Sequence, residues 1–299
     1  MRAFDGSGKE APVSIFVFLA LFTAFSGSCA RREALPPSPG ITEEQGAYDE
    51  LEQFLAERDT NAVFDEFLDR MLSAAEIPDD MALKIMDAAL EGPSFILDLL
   101  TCLAGDPFLC ALVDKNHPLP PGYVPDDLVS LAGIEGGDSY RISRNGLLLR
   151  KAAADALEEM AAAAKAEGVI LTVGSTYRSY DYQVEVYNRV AGELGQEAAD
   201  RESARPGRSQ HQTGLALDFA PIDDSFAATA GGKWVLDNAG RFGWSLSFPD
   251  GYEPVTGYRW ESWHYRYTGK DLVSFIDTYF GGIQQYALRF LYEWQQAEQ

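Results

Sequence analysis

Basic charge is in short supply in this sequence: 24 lysines and arginines face 46 aspartates and glutamates, a formal net charge of −22. Such an imbalance repels polyanions at long range, which argues against nucleic acid or an anionic membrane surface as partner. Solubility is reason enough for the acidity. Cysteine and histidine are scarcer still, three copies of each in 299 residues. Cys102 and Cys110 flank the Ala104 to Pro107 turn without a histidine-aspartate partner set nearby, so they make poor nucleophiles. Their apolar neighbours suit plain core thiols, and export would equally permit a disulfide between them. Internal repeats are absent. Long hydrophobic runs are absent too, because the stretch from Val13 to Phe25 is too short for a comfortable bilayer span.

That short run reads instead as the core of an export signal, which points the mature chain out of the cytoplasm to the cell envelope or periplasm. It closes on Ser26-Gly27-Ser28-Cys29, which resembles a bacterial lipobox with Ser26 where leucine is usual, so lipid on Cys29 would tether the protein to a membrane. Ordinary signal cleavage, or a retained anchor with Cys29 incidental, is the alternative. The expected organisation is then a signal at 1–28, a Pro- and charge-rich linker at 29–46 and a helical module at 47–111. A catalytic domain at 112–280 and a C-terminal helix at 281–299 complete it.

Phe64, Phe67, Leu68, Met71 and Leu72 recur at helical spacing and predict a helix with one buried face. Asp79 and Asp80 are expected to cap a helix running through Leu90, and Phe95 to Leu103 reads as another. Nothing in this module gathers catalytic groups. Farther on, Ala152 to Glu167 predicts a helix stopped by Gly168, and Val169 to Val173 a strand that delivers Arg178 to a loop. Leu215, Leu217 and Phe219 alternate with Ala216 and Asp218, as a half-buried strand would, and Trp263, Tyr265 and Tyr267 do so around His264 and Arg266. Helices segregated from short strands imply an α+β fold.

The scarce histidines sit beside acids. His211 and Asp218 are separated by an odd number of residues, so on one straight strand they point to opposite faces. Thr213-Gly214 supplies a bend that returns Asp218 toward His211, and an imidazole with a carboxylate suits zinc. His264 is the candidate third ligand. Glu261, three residues before it, is the candidate general base for a metal-activated water. Arg178 would stabilise an oxyanion or clamp a substrate carboxylate. Taken singly, each feature has a plain structural explanation: a hydrogen-bonded pair, a chance spacing, a surface ion pair.

Together the segments resemble a known family. Ser209-x-His211-x-x-Gly214-x-Ala216-x-Asp218 followed by Glu261-x-x-His264 is similar to the signature of the VanY-type zinc D-alanyl-D-alanine carboxypeptidases, within the LAS group of peptidoglycan peptidases. Tyr177-Arg178-Ser179-Tyr180-x-x-Gln183 and Trp263-His264-Tyr265-Arg266-Tyr267 extend the resemblance, as does Asn116 to Pro120, so that it runs from about Leu112 to Gly269. Thr176 and Ser262 depart from a frequent glycine and proline. The resemblance implies a small antiparallel sheet flanked by helices, with zinc on His211, Asp218 and His264. Glu261 would be the base, Arg178 an oxyanion or substrate contact, and Gln183 and Ser209 would hold the peptide. His117 is expected to order a turn or line a rim. The implied substrate is a peptidoglycan stem peptide or its precursor, losing its terminal D-alanine. An LD-carboxypeptidase, a D,D-dipeptidase or an endopeptidase would use the same zinc site, and a non-catalytic zinc-containing binding module is the alternative of another class. Oligomeric state is not readable from the chain.

Overall fold

A computed structural model describes residues 58–131 and 139–297. The expected signal, Cys29 and the linker lie outside the described residues. In chain order the elements are α1 (Arg58–Ala74), α2 (Asp79–Glu91), α3 (Ser94–Ala104), β1 (Leu128–Ser130), β2 (Tyr140–Ile142), β3 (Leu148–Arg150) and α4 (Lys151–Ala166). Then come β4 (Leu171–Ser175), α5 (Tyr180–Leu194), α6 (Gln196–Glu202), β5 (Ala216–Phe219), α7 (Ala230–Asn238), β6 (Trp244–Leu246) and α8 (Glu253–Thr256). The last are β7 (His264–Tyr267), α9 (Lys270–Tyr279) and α10 (Gln284–Ala297). The fold is α+β, with the amphipathic and alanine-rich segments helical where their spacing predicts. At α2, however, Pro78 is the cap residue and makes no side-chain bond, so Asp79 and Asp80 lie in the first turn and act through the helix dipole.

Five strands form the main sheet in the order β2-β4-β5-β7-β6. β4-β5, β5-β7 and β7-β6 pair antiparallel, and β2 adds to the edge in parallel with β4, so the sheet is mixed at that edge. β5 and β7 are its centre. Their register sets Asp218 opposite His264 and Leu217 opposite Tyr265. Directly opposed residues share a face, so one register turns Asp218 and His264 to one side while Leu217 and Tyr265 join the core on the other. The strand is not half-buried as the alternation suggests. All four residues of β5 are buried, because loops cover the polar face as well.

Two apolar cores result. One gathers Leu157 and Met160 of α4, Val173, Leu217, Phe219, Trp244 and Tyr265 around the sheet. The other joins Leu72, Ile85, Phe95 and Leu99 of α1–α3 to Phe275 and Ile276 of α9 and to Phe290 and Leu291 of α10. The helices at the two ends of the described chain therefore share one interior. Cys102 and Cys110 are both free and buried, the plain-thiol alternative, and burial pushes the Cys102 thiol up to about 12.

Polar ties connect the cores. Arg266, fully buried on β7, donates through Nη2 to the carbonyls of Phe108 (2.9 Å) and Ala111 (2.8 Å). Asp114 accepts at Oδ1 from the backbone N–H groups of Asn116 (2.8 Å) and His117 (3.0 Å), with His117 Nδ1 at 2.8 Å, and at Oδ2 from Gln285 Nε2 of α10 (2.8 Å). His117 thus orders a turn, its ring packed 4.6 Å from that of Tyr292. Burial alone would raise the Asp114 pKa, but these donors and the facing imidazole hold it below the ordinary carboxylate value. A depressed folded pKa contributes stability above the unfolded value and loses it as pH falls through the folded one. Asp114→Ala is expected to cost about 2–3 kcal/mol at pH 7. In urea melts the gap from wild type should shrink as the pH drops below about 4, and a pH-independent gap would contradict this account.

Candidate active site

The bend inferred between His211 and Asp218 is a 3-10 turn, Gln210–Thr213, ending on Gly214 in the left-handed region at φ 71°. Ser209 Oγ accepts from the His211 N–H (3.3 Å), Thr213 Oγ1 donates to the Gln210 carbonyl (2.6 Å), and the Leu215 N–H donates back to Thr213 Oγ1 (3.1 Å). A side chain at 214 would be strained by that φ, and its Cβ would stand 2.9 Å from Arg150 Cγ. The turn folds His211 over the polar face of β5. His211, Asp218 and His264 consequently each offer one ligand atom within 4.8 Å of the others, all three buried.

The hydrogen bonds behind this triad decide what it can hold. His211 Nδ1 lies 2.7 Å from the Thr176 carbonyl, which only accepts, so Nδ1 carries the proton and Nε2 keeps a lone pair. That Nε2 is buried 3.1 Å from Asp218 Oδ2. Burial, and then Arg178, bring the His211 pKa down to about 4, so the ring is neutral at pH 7. On the opposite side, His264 Nε2 stands 3.1 Å from Gln210 Oε1. Gln210 in turn donates through Nε2 to Gln284 Oε1 of α10 (3.2 Å), and its Oε1 also accepts from Ser247 Oγ (2.7 Å). These partners put the amide oxygen against the ring, so His264 donates from Nε2 and turns Nδ1 toward Asp218 Oδ1 at 2.9 Å. Burial works against the Asp218 charge, yet His211 and His264 hold its pKa well below the ordinary value. Two imidazole nitrogens and a carboxylate, each held from behind, converge as the donor set that zinc prefers.

Glu261 completes the group. Its Oε2 is 3.7 Å from His264 Nδ1, and its side chain is only 12% exposed. Burial first, then the Asp218 charge, push its pKa up to about 8, with Arg178 pulling the other way. Arg178 follows β4, its N–H donating to the His211 carbonyl (3.2 Å), and its buried Nε has no hydrogen-bond partner among the described residues. Arg178, Ser209, His211, Glu261 and His264 all line one cleft of about 60 Å³, with Phe248 and Tyr258 also in its wall. Gln183 is not brought to that wall. It is buried and donates through Nε2 to the Ala204 carbonyl (2.7 Å), supporting the loop that leads to Ser209 instead of facing a ligand. Sequence reasoning passed over Gln210 and Gln284. Gln210 was visible only as the unspecified residue beside His211, and Gln284 lies outside the recognised segments altogether.

Comparison with known proteins matches residues 146–270 to the family model VanY: D-alanyl-D-alanine carboxypeptidase. The Bacillus subtilis (strain 168) protein YodJ is 40% identical over 174 residues, 56% of this chain and 63% of that one. The bifunctional D-Ala-D-Ala dipeptidase and D-Ala-D-Ala carboxypeptidase VanXYC of Enterococcus gallinarum is 30% identical over 166 residues, 53% of this chain and 82% of that one. Among solved structures, the LdcB LD-carboxypeptidase is 38% identical, with 58% of this chain and 86% of that chain covered at a TM-score of 0.51. The chain spans 50–63% of the length of YodJ and of the two D-alanyl-D-alanine carboxypeptidases of Enterococcus faecium and Enterococcus faecalis.

Proposed function

This chain belongs to the VanY D-alanyl-D-alanine carboxypeptidase family, and from its site we propose that it is a zinc-dependent peptidase that removes the terminal D-alanine from peptidoglycan stem peptides. One observation carries the reading. His211 Nε2 lies 3.1 Å from Asp218 Oδ2 and His264 Nδ1 2.9 Å from Asp218 Oδ1, so that three buried ligand atoms converge within 4.8 Å of one another. Such an arrangement suits a cation.

His211 through Nε2, Asp218, and His264 through Nδ1 would hold zinc, which when bound supplies Lewis acidity, lowering the pKa of a ligated water and polarising the scissile carbonyl. The chain's own groups supply the rest. Glu261 takes a proton from the attacking water and returns it to the departing amine nitrogen as the C–N bond breaks. Arg178 favours the ionised form of Glu261, and a carboxylate beside a bound cation can accept a proton and return it. Arg178 meets the negative charge that develops on the carbonyl oxygen, inside a cleft where burial strengthens the contact. A binding module has no need of a buried acid beside the cup, so Glu261 favours the enzyme.

The bond chosen has a second reading, because LdcB is an LD-carboxypeptidase 38% identical to this chain. The reading also extends to export, and to a lipid tether at Cys29, on the strength of the Val13 to Phe25 run and the residues after it.

Zinc-loaded protein incubated with a pentapeptide ending in D-Ala-D-Ala is expected to release D-alanine. Full zinc occupancy without release would overturn the substrate, and muropeptide mass spectrometry would show which stem length is left instead. Glu261→Ala should lower kcat by about 10²–10⁴ while zinc stays bound. Undiminished turnover would remove Glu261 from the mechanism. Gln210→Leu should weaken zinc binding about 10–100-fold in competition with a chromophoric chelator, since it frees the His264 ring. Unchanged affinity would show that the Gln210 contact does not orient that ligand.

A further inference from the structure

Beside the reaction centre lies a second cavity that the proposed chemistry leaves unused. It encloses about 230 Å³ and is lined by Lys115, Asp200, Ser203, Arg205, Arg208 and Tyr258. Ser203, Arg208 and Tyr258 also line the cleft, so the two spaces meet there. Three cations face one carboxylate in this cavity, inside a protein of net charge −22. Moreover, that carboxylate is already taken. Asp200 accepts from Arg205 Nε and Nη2, both at 2.8 Å, and from the Tyr187 hydroxyl at 2.7 Å.

Lys115 and Arg208 are left over. Lys115 Nζ donates to the Asp200 carbonyl (2.7 Å) and stands 4.7 Å from the centre of the Tyr258 ring. It makes no ion pair among the described residues; burial lowers its pKa, with the Asp200 and Glu253 charges opposing from a distance. The Arg208 side chain forms no hydrogen bond or ion pair among the described residues, and of the carboxylates that share the cleft wall with it Glu202 is taken by Arg259. The Tyr258 hydroxyl, buried on the wall common to both cavities, has no partner either. Arg208 is nonetheless firmly placed by its backbone. Its N–H donates to the Arg205 carbonyl (2.9 Å), and the preceding Gly207, at φ 82°, accepts from the Leu119 N–H (2.7 Å). A tight turn therefore presents a guanidinium without a counter-ion one residue before Ser209 of the cleft.

We propose that Arg208 and Lys115 form a carboxylate subsite opening off the catalytic cleft, and that Arg208 is a specificity-determining residue for acidic peptide substrates. The inference rests on the peptidase reading and names the chemistry its substrate must carry. A guanidinium grips a carboxylate in two-pronged fashion while an ammonium adds a point charge. Arg178 is unsuited to the task, because it lies beside Asp218 and Glu261 at the reaction centre. The carboxylate comes either from the peptide's C-terminus or from an acidic residue upstream.

Calorimetric titration of the zinc-loaded Glu261→Gln chain distinguishes these sources without turnover. The probes are acetyl-Glu-Lys-D-Ala-D-Ala, its C-terminal amide, and acetyl-Gln-Lys-D-Ala-D-Ala. Neutralising the recognised carboxylate should weaken binding about tenfold or more: the amide is the weak binder if the terminus is read, the Gln peptide if the upstream residue is. Adding Arg208→Gln should abolish that difference, with Arg208→Lys restoring part of it and Lys115→Met reducing it. If all three peptides bind alike, or if discrimination survives both Arg208→Gln and Lys115→Met, the subsite does not exist. Wild-type release of D-alanine alongside such a result would leave the peptidase reading standing. Neither release nor binding of any peptide would sink both.

Discussion

The site depends on one buried carboxylate, Asp218, set between two imidazoles that are each held from behind. Thr176 and Gln210 enforce this from outside, one with a backbone carbonyl and the other with an amide oxygen. Burying a charge is costly unless it is compensated. His211 and His264 offset that cost for Asp218, holding its charge in place in a cup that a cation completes. Much of the neighbouring architecture serves this arrangement. The β5-β7 register sets Asp218 opposite His264, Gly214 ends the turn that carries His211, and the β4 exit sets Thr176 behind the ring.

The helices outside the matched segment are joined to this centre through adjacent residues of α10. Gln284 accepts from Gln210 inside the site, and its Nε2 faces the Ser245 carbonyl at 3.4 Å. Gln285 turns to Asp114, where the chain passes from the helices to the sheet. Because α10 shares its apolar face with α1–α3, anything that loosens that core also loosens the support behind His264. The N-terminal helices therefore stabilise the geometry of a ligand that they do not touch. Arg266 acts similarly from β7, binding the carbonyls of the segment that leaves α3.

The residues of the site were legible in the sequence because their chemistry is local. His211, Gly214 and Asp218 lie within eight positions, and an odd spacing interrupted by a glycine implies a bend on geometric grounds alone. Glu261 and His264 are equally close together. Helices with a regular apolar stripe were legible for the same reason. What escaped notice was long-range: the Gln284 contact with Gln210 spans 74 residues, and no periodicity marks a buried amide as a partner for another. The full burial of β5 escaped too, since alternation reports the polarity of a face and not whether a loop covers it. Gln183 belongs to a recognisable segment, but its place beneath the Ala204 loop depends on where the chain returns.

Arg266, Arg178 and Arg208 divide electrostatic work near the site by how they are compensated. Arg266 is spent on backbone carbonyls and holds structure. Arg178 lies near the Asp218 and Glu261 carboxyls at the reaction centre, where its buried guanidinium is available to oxygen that becomes negative only during reaction. Arg208 makes no ion pair among the described residues, because Asp200 of its cavity is held by Arg205. In a strongly acidic protein an acidic substrate is repelled at a distance, although salt confines that repulsion to about 8 Å. Attraction must then come from uncompensated cations at the mouth itself. Local excess positive charge beside a neutral or balanced reaction centre separates the task of holding a peptide from the task of cleaving it.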